Sequence, residues 1–133
     1  MGAFNPAGAR VSLIDTGSGH VLLACPTDTR RQQMLDEHHA VEGEVQIPRE
    51  ELEQTFASLR ELGYKQRDSL QSFGVTDISC PILDPRGHAM AVLTWPYIRR
   101  IDRHVGPTLD EARALLIRTA QALSVNQQAE ENA

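Results

Sequence analysis

The sequence predicts an α+β domain in which helices pack on a small antiparallel sheet. Three observations predict it. An apolar stripe at helical spacing before residue 63 gives way to alternation at a spacing of two, and helical spacing returns after residue 108. Asp84-Pro85-Arg86-Gly87 has the composition of a tight hairpin turn between two alternating segments. Thr108 and Glu111 form a Ser/Thr-x-x-Glu capping box ahead of the last apolar stretch.

The first ten residues carry no periodicity, and Val11-Ser12-Leu13 is read as the end of a strand. Short helices are expected from Gly19 to Ala24 and, capped by Thr27, from Asp28 to about Glu37. The clearest helix runs from Pro48 to Leu62. Pro48 suits a first turn, Glu50 and Glu51 complement the positive end of the helix dipole, and Gly63 supplies a left-handed stop. Leu52, Phe56, Leu59 and Leu62 form its apolar stripe. Strands are expected over Tyr64–Ser69, Val75–Leu83 and His88–Thr94, with the helices on one face. Pro81 lacks the amide hydrogen of a central ladder, so its strand is expected at an edge or bulged near its end. In the last helix Ala112, Leu115, Leu116, Thr119, Ala120 and Leu123 are the expected buried face. Three strands are few for this length, so part of the sheet is expected to be missing or supplied by another chain.

Composition bounds the function. Hydrophobic residues at 41% and charged residues at 23% are those of a globular domain. No apolar run reaches the roughly 20 residues that cross a bilayer, and no secretory signal opens the chain, so a cytoplasmic protein is expected. A net charge of -5 opposes nucleic-acid binding, which requires clustered cations. The basic groups Arg30-Arg31 and Arg99-Arg100-x-x-Arg103 are interleaved with acids and read as solvated surface. Cys25 and Cys80 give no disulfide framework or zinc motif. His20, His38, His39, His88 and His104 lack metal-binding spacing and are expected at the surface. No nucleophile, base and oxyanion site converge, so no enzyme, cofactor or metal is expected. Cys25 and Cys80 read as packing, and Trp95 as a core or subunit-contact anchor.

Gly17-Ser18-Gly19 at a helix start either presents free amides to an anion or lets the helix pack closely. The segment Gly63-Tyr64, Gly74 to Asp84, Gly87 and Ala91 to Thr94, with Asp15 to Ala24 upstream, resembles the effector-binding domain of the IclR family of bacterial transcription regulators. The resemblance runs from about Gly8 to Ser124. It implies a GAF-like fold, here partial over residues 1–125; the polar stretch 126–133 has too little apolar content to fold and is expected to be a disordered tail. It also implies a ligand pocket on one face of the sheet and an oligomeric regulator; no membrane partner is expected, for want of an apolar run. DNA binding would belong to a winged helix-turn-helix domain absent from this chain, and Met1 would fall inside the family's usual domain.

The same resemblance places Gly17 and Ser18 beside the effector. Carried over by position, Arg67, Asp77, Thr94 and Pro96 face the ligand, with Val75 as an apolar wall. Two of these depart from the family's small-acid sensors: Arg67 stands where they have an acid and Pro96 where they have a second hydroxyl. Arg67 then either grips a ligand carboxylate or pairs with Asp68 or Asp77, and Asp77 faces either the pocket or water. The expected function is sensing a small organic acid for such a regulator. The alternative is a truncated or defunct fragment acting only by association with intact regulators.

Overall fold

A computed structural model describes residues 7–8, 11–69, 72–101 and 105–132, with side chains to Ser124. Its elements run α1 (Gly17–Ala24), α2 (Asp28–Asp36), α3 (Arg49–Leu62), β1 (Lys65–Asp68), β2 (Val75–Leu83), β3 (Ala89–Ile98) and α4 (Leu109–Asn132). Arg103 and His104 lie outside the described residues, as do eight of the first ten.

Local chemistry sets the helix ends. Thr16 caps α1 by accepting from the Gly19 amide at 3.0 Å, so the helix begins at Gly17, two residues before the expected start. Thr27 caps α2 through the Arg30 amide. Pro48 precedes α3 with φ near -57°, and Gly63, at φ near 80°, ends it with its N–H on the Leu59 carbonyl. Leu52, Phe56 and Leu59 of α3 meet Val21, Leu23 and Ala24 of α1 and Ile14 in one apolar core. Val11 to Leu13 form no strand. Leu13 instead lies with its carbonyl against Gly19, in the closest main-chain approach that a glycine makes among the described residues.

The sheet order is β1-β2-β3, antiparallel throughout. Asp84 holds the hairpin by accepting from the Arg86 and His88 amides, with Gly87 at φ near 84°. β2 is central, yet Pro81 fits, because β1 pairs only with Thr76 to Ser79 and Pro81 faces Val92 alone. The register shift falls just beyond, between Ile82 and Leu83. β3 continues past Thr94 to Ile98, four residues beyond the expected end, carrying Pro96 on a strand edge.

Helices cover both faces of this sheet, against the expectation of one. Alternation sends Ile78 and Cys80 away from α1, and Ala112, Leu116 and Ala120 of α4 bury them. Trp95 and Tyr97 pack at the margin of this second core, with ring centroids 6.4 Å apart. β2 is thus mostly apolar or small on both sides, with Asp77 the charged exception on the α1 side. Only the i, i+4, i+8 stripe of α4 is buried. Leu115 and Leu123, expected inside, are 45% and 42% exposed. The polar stretch from residue 126, expected to be disordered, lies within α4 as far as Asn132. Gln, Ala and Glu favour extension of a helix already nucleated.

Arg31 corrects another expectation. It is 5% exposed, donates to the carbonyls of Leu23 and Pro26, and lies over the Phe56 ring at 5.4 Å, while Arg30 is exposed. Its partner Asp28 is largely in solvent, so the ion pair adds little beside the buried contacts. Arg31→Ala is expected to destabilise the fold by about 2 kcal/mol, through two buried carbonyls left unpaired and the lost ring contact. Urea-unfolding midpoints check this.

Candidate functional site

The register lays out the sheet surface beneath α1 in two rows. Arg67 stands opposite Asp77 and Asp77 opposite Pro96; Lys65 stands opposite Ser79 and Ser79 opposite Thr94. The N-terminus of α1 lies above them and brings Gly17 and Ser18. A cavity of about 500 Å³ results, lined by Gly17, Ser18, Arg67, Asp77, Thr94 and Pro96 together with Asp15, Thr16, Val45, Ser69 and Ser79, among others. Six of the seven residues expected to border a ligand therefore share one cavity. Val75 does not line it. It is buried at the start of β2, opposite Ile98 and one alternation beyond Asp77.

Arg67 donates from Nη2 to the Asp15 carbonyl at 2.5 Å and forms no ion pair among the described residues. Asp68 points to the other face, where it meets Arg99 and Thr76. Asp77 shares the cavity, and burial pushes its carboxyl above the ordinary range against the pull of Arg67. For Asp15, burial acts upward as well. Hydrogen bonds from Ser12 and the Val45 amide, with the charge of Arg67, outweigh it and hold the carboxyl low. The Ser79 and Thr94 hydroxyls are 3.0 Å apart, and either can donate to the other or turn to a ligand. This arrangement offers one guanidinium with spare donors, a set of hydroxyls and a glycine-opened helix start.

A second hollow, of about 750 Å³, adjoins the first and shares Val11, Asp15, Thr16 and Gly43 with it. The loop between α2 and α3 forms much of its wall. Glu44 binds Ser12 Oγ with one oxygen and His38 Nε2 with the other at 2.9 Å. Burial raises the Glu44 carboxyl, but those two partners hold it below its ordinary value.

His20 was expected at the surface, yet it is 4% exposed, with Nε2 bonded to the Ile14 carbonyl at 2.7 Å. That bond requires the proton on Nε2 and leaves the buried Nδ1 without a partner among the described residues. Burial lowers its pKa, aided by Lys65 and Arg67 and opposed by the Ile14 bond. The depressed groups His20, Glu44 and Asp15 act in one direction. Below the ordinary histidine value of 6.5 the unfolded chain takes up a proton that folded His20 resists, and below 4.5 the same holds for Glu44. Stability is therefore expected to be full between pH 6.5 and the ordinary thiol value of 9.0, above which buried Cys80 resists ionisation, and to fall in two stages with acid. Urea midpoints at pH 8, 6 and 4 check this, and His20→Gln is expected to remove the first stage.

Ser79, Asp15 and Val45 escaped the sequence reading. Ser79 shares the alternation of Asp77, so its side of the strand was legible; the loop position of Val45 had no periodic signal. Cys80 packs under α4, away from the cavity. Among the described residues no three His, Cys, Asp or Glu side chains gather as metal ligands do, and no helix is long and apolar enough to cross a membrane.

No protein-family model matches the sequence, and no curated protein matches it. Solved structures do. The C-terminal domain of the Escherichia coli transcriptional regulator KdgR is 27% identical, with a TM-score of 0.68 over 90% of this chain and 73% of that one. The Thermotoga maritima IclR is 20% identical, with a TM-score of 0.70 over 93% of this chain and 50% of that one. A double mutant of the inducer-binding domain of the PobR transcription factor from Acinetobacter, in complex with 3-hydroxybenzoic acid, is 22% identical, with a TM-score of 0.62 over 92% and 73%. The chain spans about half the length of the Agobacterium tumefaciens repressor BlcR. KdgR is a transcriptional regulator and PobR a transcription factor, and the chain has the fold of the C-terminal effector-binding domain of IclR-type regulators that its sequence resembles.

Proposed function

We propose that this chain is the sensing part of an IclR-type transcription regulator and binds a small organic acid in the cavity between α1 and the sheet. The observation that carries the reading is Arg67, whose guanidinium lines that cavity without a carboxylate paired to it. An acid would accept from Arg67, and its hydroxyl or keto oxygen would meet Ser79 and Thr94. Gly17 and Ser18 would bring α1 amides close. The cavity lies within the range of small-molecule sites, and the similar PobR domain holds 3-hydroxybenzoic acid. Occupancy would shift an oligomer between states, and a winged helix-turn-helix domain of the whole regulator would report it on DNA.

Thermal unfolding with a panel of carboxylic acids tests the reading. An acid at a hundred times its dissociation constant is expected to stabilise the fold by about 2.7 kcal/mol, and its neutral amide analogue is expected to do nothing. Equal effects of acid and amide would rule out the anion-binding reading. A second reading, association with intact regulators alone, draws on the fully exposed Phe73 and Ile101 and the nearly bare Val105. A monodisperse monomer at high concentration would argue against it.

A further inference from the structure

Loop residues 37–45 touch the cavity without belonging to the core. Gly43 and Val45 line it, yet both are exposed, and polar contacts hold the segment in place. Glu44, whose side chain is 1% exposed, is clasped by Ser12 and by His38 at 2.9 Å. The Val45 amide donates to Asp15 Oδ2 at 2.8 Å. Gly43 sits at φ near 81°, a left-handed position in the turn that the Glu44 amide closes on the Val41 carbonyl. Residues 37–44 of the same loop also line the second hollow, which meets the first at Val11, Asp15, Thr16 and Gly43.

Asp15 bonds in two directions. Its carboxylate fastens the loop at Val45, and its carbonyl accepts from Arg67 at 2.5 Å. We propose that residues 37–45 are a strap whose closure is coupled through Asp15 to the side chain of Arg67. A group that draws the guanidinium off the Asp15 carbonyl frees residue 15, loosens the Val45 bond and lets the strap swing away from the cavity. By reciprocity, opening the strap changes how strongly Arg67 holds an anion. A segment fastened by a few polar contacts with little apolar burial belongs to the low-stability end of a fold, where local opening is cheap.

The trigger rests on the acid-binding reading above; the coupling does not, and it is tested without ligand. Amide exchange by NMR is measured in the parent and in Arg67→Met, Asp15→Asn and Glu44→Gln variants. Val45 is expected to exchange at least about tenfold faster in each variant, because Arg67→Met removes the hydrogen bond to the Asp15 carbonyl and the two amide substitutions take the charge from bonds that hold the loop. Leu59 of α3 and Ile78 of β2 keep the parental rate. The double variant Asp15→Asn/Arg67→Met is expected to exchange at Val45 no faster than Asp15→Asn alone, since both act through one link. A parental Val45 rate in Arg67→Met overturns the coupling, as does full additivity in the double variant. Equal acceleration of Val45, Leu59 and Ile78 overturns it too, by revealing general destabilisation. Titration of the parent with 3-hydroxybenzoate and other acids judges the acid-binding reading separately.

Discussion

Replacing Gly19 by alanine is expected to destabilise the protein by about 3 kcal/mol. A Cβ at that position would stand 2.0 Å from the Leu13 carbonyl oxygen and 2.6 Å from its carbon. Both are main-chain atoms, and Leu13 is followed directly by Ile14, whose side chain is in the core and whose carbonyl holds His20. Relief therefore requires α1 to move off the segment that feeds it. Gly17, two residues earlier, is the control. Its Cβ would meet Lys65 Cγ at 3.5 Å and Ser79 Oγ at 3.7 Å, which are ordinary contacts. Gly17→Ala is expected to fold with stability within about 1 kcal/mol of the parent, since alanine suits a helix better than glycine. It narrows the cavity instead, so acid binding weakens while the unfolding midpoint holds. Similar midpoints for the two variants would contradict the close approach at Gly19.

Arg67→Ala is expected to weaken binding of an acid by roughly 10- to 100-fold, the range for a charge-assisted hydrogen bond in a partly enclosed site. Stability is expected to change by less than about 1.5 kcal/mol, because Arg67 contributes one hydrogen bond to the fold, to the Asp15 carbonyl. Arg67→Lys is expected to fall between the two, since an ammonium keeps the charge and loses the planar fork. The neutral amide of the same acid should distinguish none of these proteins. Calorimetric titration of the three proteins measures this, and unchanged affinity in Arg67→Ala would remove the guanidinium from the site.

The sequence made the fold legible where one element decides its own form. α3 followed from its stripe, Pro48 and Gly63, and the hairpin from Asp84 to Gly87. Periodicity cannot say which face a second element will cover. The Ile78 and Cys80 side of β2 was readable, but its cover by α4 depends on tertiary packing. Arg31 and His20 were misplaced for a related reason. A polar side chain enters a core when nearby carbonyls receive it, here those of Leu23, Pro26 and Ile14, and backbone acceptors leave no trace in residue types. At the candidate site the alternating strand positions were legible. The α2–α3 loop was not, because Glu44 and Val45 reach Ser12 and Asp15 across about thirty residues of chain. Val75 lies outside the cavity because the cavity ends one alternation short of it.

The most direct test of acid sensing in this cavity is an NMR titration of the isotope-labelled chain with 3-hydroxybenzoate and a panel of small aliphatic acids, following every backbone amide. Binding as proposed predicts saturable shifts for at least one acid, concentrated at Gly17, Ser18, Arg67, Asp77, Ser79 and Thr94 and abolished by Arg67→Ala. Saturable shifts confined to another surface, such as the hollow beside Trp95 and Pro107, or shifts that persist in Arg67→Ala, would contradict it.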